Sequence, residues 1–75
     1  MIAPEAIHAA RVLARKDVTS GLRRTHDDVT TWLRDFAAAN RPLTVRRQIV
    51  RAETIAAGVA AYNARFDELS AQSAA

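Results

Sequence analysis

Glycine and proline occur only four times in this chain of 75 residues, at Pro4, Gly21, Pro42 and Gly58. So few breakers leave no room for a fold rich in turns or strands. They divide the chain into a small number of long uninterrupted stretches, and each stretch must be helical. The chain is read as one all-α domain covering residues 1–75, a small three-helix bundle with a long C-terminal helix.

Local signals set the expected boundaries. Pro4 suits a first helical turn, and Glu5 after it suits the positive end of the helix dipole. Ile7, Ala10, Ala14 and Val18 form a stripe at helical spacing, with Leu13 beside it. The first helix is expected over about 4–20. It weakens at Thr19-Ser20-Gly21, and the sequence leaves open whether it continues through Gly21. The second helix, about 27–39, opens after Thr25 or His26 with Asp27 and Asp28 in its first turn. Val29, Trp32, Leu33, Phe36 and Ala37 follow the i, i+3, i+4 pattern. This stripe, with the one Trp, is the expected centre of the core. Asn40 suits a left-handed closing position, and Pro42 blocks continuation.

Thr44 is a good N-cap for a third helix over about 45–70, spanning roughly 39 Å at about 1.5 Å per residue. A frayed tail is expected at 71–75. Val45, Ala52, Ile55, Val59, Tyr62, Phe66 and Leu69 take alternating a and d heptad places, with Gln48 a polar intruder. This seam has two readings. It packs on its own chain, or it is an interface, with Ile55, Val59, Tyr62, Phe66 and Leu69 meeting a second copy or a partner. Tyr62 is placed at the edge, its hydroxyl reaching water.

A core this small stabilises the monomer only marginally. There is no cysteine, so no disulfide framework or cysteine-based zinc module supports it. His8 and His26 have no ligand partners at metal-binding spacing and read as surface histidines. Asp27-Asp28 and Asp67-Glu68 are adjacent on helices and point apart. Ser20, Ser70 and Ser73 lack a nucleophile elbow or a histidine partner. No catalytic residue, metal or cofactor is assigned, and the chain is not read as an enzyme. No apolar run reaches the length of a membrane span, and the first residues do not read as a signal peptide. A cytoplasmic location is the expectation. The composition, rich in alanine and arginine, fits a GC-rich bacterial or phage genome.

Charge carries the functional reading. The net charge is +3, and ten of the eleven basic residues are arginine. Residues 1–51 hold ten basic groups against five acids, whereas 52–75 hold Arg65 against Glu53, Asp67 and Glu68. No acid lies between Asp35 and Glu53, a stretch that includes Arg41, Arg46, Arg47 and Arg51. In a helix starting near 45, Arg46 and Arg47 occupy the first turn, where cations are disfavoured by about 0.3–1 kcal/mol each. An anion docked there would explain them. Arg47 and Arg51, four apart, share a face of that helix. Arg23 and Arg24 are secondary members of the patch. Arg11, Arg15 and Lys16 extend it if the first helix packs alongside.

Residues 33–49 also look like a helix-turn-helix: an Ala-rich helix, a short turn around Asn40-Arg41-Pro42-Leu43, and a basic second helix. In that motif the start of the second helix meets base edges, with arginine suited to guanine and Gln48 to adenine. The turn is about two residues shorter than the common form and lacks its glycine, and the second helix is longer than most. The sequence therefore points to a small bacterial or phage DNA-binding protein, regulatory or architectural. The alternative is a non-enzymatic interaction module for an acidic protein: an inhibitor of a host factor, an antitoxin-like partner or an assembly subunit.

Overall fold

The computed structural model describes residues 2–39 and 42–74. It is all helical: α1 (Pro4–Ser20), α2 (His26–Ala38), α3 (Leu43–Ile49) and α4 (Ala52–Ala74). The single third helix expected over 45–70 is therefore two helices. They are separated by a bend at Val50 and Arg51. Asn40 and Arg41, with the left-handed turn expected at Asn40, lie outside the described residues.

α1 begins at Pro4 and stops at Gly21, which takes the left-handed conformation at φ 69°. The Gly21 N–H donates to the Val18 carbonyl at 3.2 Å, and the Leu22 N–H donates to the Asp17 carbonyl at 3.0 Å. This pair of bonds closes the orphan carbonyls of the last turn, a geometry that favours glycine. It settles the question at Gly21: the helix does not pass it. The face α1 turns inward consists of Ala6, Ala9, Ala10, Leu13, Ala14 and Asp17. Ile7 and Val18, expected in the stripe, are only half-buried. Small side chains have displaced larger ones because α4 lies close along this face.

α2 opens with a reciprocal cap. Thr25 Oγ1 accepts from the Asp28 N–H at 3.2 Å, and Asp28 Oδ2 accepts from the Thr25 N–H at 3.3 Å. Val29, Leu33 and Ala37 are buried. Trp32 is not the centre of the core. It is half-buried at the rim, stacked on Phe36 with centroids 5.7 Å apart.

α3 starts at Leu43 after an extended Pro42, so Thr44 lies inside the helix and is not its cap. Ile49 is fully buried, and Val45 is half-buried against the core. The bend after Ile49 has a packing cause. At about 100° per residue, positions 49 and 55 of a straight helix face directions roughly 120° apart. Breaking the helix between them buries both Ile49 and Ile55 in one core. Ala52, an expected seam position, is exposed.

α1 and α4 share the most extensive contact of the fold. Ala3 N–H donates to Thr54 Oγ1 at 3.3 Å, and Tyr62 Oη donates to Asp17 Oδ2 at 2.7 Å. Contacts run in the same order along both helices, so the two are parallel. α2 runs back between them: Arg24, just before it, meets Tyr62, while Leu33 meets Gly58. A Cβ on Gly58 would stand 2.6 Å from Leu33 Cδ1. Gly58 is a place where α2 and α4 approach closely. α4 remains helical through Ala74, past the expected end near 70.

Candidate nucleic-acid interface

The C-terminal half of α2 and the last turn of α3 bring three arginines to one recess. Arg34 on α2 and Arg46 and Arg47 on α3 line a shallow cavity of about 210 Å³, floored by Ala37, Ala38 and Val50. All three arginines are exposed. A second groove of about 300 Å³ continues from it, sharing Arg34 and Val50 and reaching His26, Thr30 and Ile55. Among the described residues, no carboxylate lines either one. Guanidinium groups from two helices thus converge on one recess.

This geometry keeps part of the predicted patch and revises the reason for it. Arg46 and Arg47 lie in the last turn of α3, not in the first turn of a long helix. Cations there complement the helix dipole instead of opposing it. The expected electrostatic anomaly does not exist, and convergence takes its place as the argument. Arg51 sits in the bend, its Nη1 4.0 Å from Glu53 Oε1, and lines neither groove. The helix breaks between Arg47 and Arg51, so they do not share a helical face as expected. Gln48 is half-buried and also lines neither groove. Arg41 lies outside the described residues. Arg34, which the sequence reading did not assign, is the residue that α2 contributes. Its signal was an exposed place on α2, but only the packing of α2 against α3 shows what it joins.

Arg23 and Arg24 belong to a different structure. Arg23 Nη1 donates to Asp67 Oδ1 at 2.8 Å and Nη2 to Asn63 Oδ1 at 3.3 Å. Its guanidinium also lies over the Phe66 ring, 4.9 Å from the centroid. Arg24 Nε donates to Asp17 Oδ2 at 2.9 Å, and the Arg24 backbone N–H donates to Tyr62 Oη at 2.9 Å. Asp17 is only 3% exposed and Tyr62 is fully buried. The Tyr62 hydroxyl therefore does not reach water, contrary to expectation. Burial, as the main cause, raises its pKa above the ordinary phenol value of 10.0. The Asp17 hydrogen bond and charge add to this, against the lowering effect of the Arg24 N–H. Nothing in the sequence pattern marked Asp17 as an interior carboxylate.

The expected interface seam is occupied by the chain itself. Ile55, Val59 and Tyr62 are buried in its own core, and Phe66 packs partly against it. Leu69 is half-buried. In this fold the first three are not available to another chain.

Among the described residues, no three histidine or carboxylate groups gather as metal ligands, and no helix is long and apolar enough to cross a membrane. The fold and site together define a small all-helical bundle carrying a basic groove at one helix pair. Comparisons with protein-family models, with curated proteins and with solved structures return no match.

Proposed function

We propose that the chain is a small DNA-binding protein that grips the phosphate backbone through Arg34, Arg46 and Arg47. One observation carries the reading: three exposed arginines, from α2 and α3, line one recess. Arginine forks match phosphate oxygens, and neutralised phosphates release counterions. At about 1.5 Å per residue, the seven residues of α3 span only about 10 Å, a short surface for reading bases. Gln48, half-buried, is no longer assigned to adenine. The proposal is therefore architectural or generally phosphate-directed binding, in the setting of a bacterial or phage cytoplasm, ahead of sequence-specific regulation.

The test is fluorescence anisotropy of a labelled generic duplex, titrated with protein from about 50 to 300 mM salt. Three phosphate contacts predict a slope of log K against log salt of about −3. Arg46→Ala with Arg47→Ala should weaken binding by tenfold or more and reduce the slope by about 2, with helicity unchanged. No binding at the lowest salt, or parental binding by the double variant, would overturn the proposal.

A further inference from the structure

A separate cavity lies on the outer face of α1. It encloses about 610 Å³ and shares no lining residue with the α2–α3 grooves. Its aliphatic part is Ile2, Ile7 and Val12, and its basic part is Arg11 and Arg15 on α1 with Arg65 reaching from α4. Ile2 and Val12 are among the most exposed large hydrophobic residues, at 45% and 55%. No acid is among its described lining residues. Arg65 has one carboxylate neighbour, Glu68, a turn further along α4.

From this juxtaposition we propose that the α1 groove docks an acidic amphipathic helix of a partner protein. The pairing of the two chemistries decides the class of occupant. Apolar side chains of such a helix would cover Ile2, Ile7 and Val12, while its carboxylates would meet Arg11 and Arg15. A nucleic-acid backbone offers nothing to two exposed aliphatic side chains. A membrane surface is met most effectively by a convex face with aromatic anchors, and no aromatic residue lines this groove. A second copy of the chain is a poor fit as well. Glu68 pairs with Arg65, Asp67 with Arg23, Asp28 caps α2, and Asp17 is buried. On α2, which also carries Asp27 and Asp35, the aliphatic residues Val29 and Leu33 are buried, so that acidic helix has no exposed aliphatic face to offer.

The probe is a labelled amphipathic peptide of about five helical turns, with leucine on one face and glutamate on the other. A matched peptide with lysine for glutamate is the control. The acidic peptide should bind in the micromolar range, with amide shifts mapping to Ile7, Arg11, Val12 and Arg15. Arg11→Glu with Arg15→Glu should weaken it at least about tenfold. Val12→Ser, a change at an exposed site, should weaken it a few-fold without altering the circular dichroism. Arg46→Ala with Arg47→Ala should leave it unchanged, which separates this groove from the proposed DNA surface. Absence of binding, equal binding of the lysine peptide, or indifference to the charge reversal would overturn the proposal. So would binding of duplex DNA or anionic vesicles through Arg11 and Arg15 in preference to the acidic peptide.

Discussion

The chain contains two Arg-Arg pairs with opposite fates. Arg23-Arg24 joins α1 to α2, and both of its side chains are held by groups on other elements. Arg46-Arg47 lies in the last turn of α3 and lines a recess with no carboxylate among its described lining residues. Identical dipeptides thus became a structural tie and a candidate binding surface. The difference lies across the bundle. Asp17, Asn63 and Asp67 stand opposite the first pair, whereas Ala37, Ala38 and Val50 stand beside the second. The role a basic cluster takes is therefore set by the groups that stand around it in the fold.

The strongest way to break this contrast is to remove the interior anion. Asp17→Ala leaves the buried Tyr62 hydroxyl without its acceptor and Arg24 without its partner. A loss of about 2–3 kcal/mol is expected, or on the order of 10–15 °C in Tm for a domain of this size. Arg46→Ala with Arg47→Ala, measured the same way, should change stability by less than about 0.5 kcal/mol. Similar losses from the two changes would mean that both pairs are structural.

High pH probes the same end of the molecule without mutation. The pKa of Tyr62 is raised in the folded state, chiefly by burial. The unfolded chain therefore loses this proton first, near the ordinary phenol value. The contribution of the buried hydroxyl is fully present below that value. It is lost as pH rises through the higher folded value. Because Tyr62 is the only tyrosine, phenolate absorbance reports this group alone. Ionisation delayed until the chain unfolds is the expected result, and an ordinary titration in the folded state would contradict the burial.

The smallest expected effect belongs to Arg23. Its ion pair with Asp67 is exposed, with side chains 48% and 64% accessible, and such pairs contribute little. Its place over Phe66 adds a fraction of a kcal/mol to about one. Arg23→Ala should cost about 1 kcal/mol in urea denaturation, less at high salt. A cost approaching that of Asp17→Ala would show that the exposed half of this tie is as important as the buried half.

Much of the fold was legible because its signals are local. Pro4, Thr25 with Asp28, and Gly21 act through bonds within a few residues. The starts at Pro4 and near Thr25 follow from such local signals, whereas the sequence left the stop at Gly21 open and the fold decided it. The site was legible only in outline. Arg46 and Arg47 stood out by charge, yet the reason attached to them depended on a helix start at 45 that tertiary packing moved. Arg34 carried no mark beyond exposure on α2. The a and d seam identified Ile55, Val59 and Tyr62 as packing positions, with Tyr62 expected at the edge, but could not say which chain they would meet, because a heptad reads the same against its own bundle or a stranger.

The sequence by itself determined the all-helical class, the scarcity of breaks and the excess of arginine, since these are properties of residue type and short spacing. The tertiary structure alone decided three things. It bent the chain at Val50 and Arg51 so that Ile49 and Ile55 enter one core. It drew Asp17 inside to meet Tyr62 and Arg24. It set Arg23 and Arg24 against carboxylates and placed Arg34, Arg46 and Arg47 around one recess. Each of these depends on what lies opposite a side chain across the bundle, and that distance in sequence, often forty residues or more, is invisible to any local pattern.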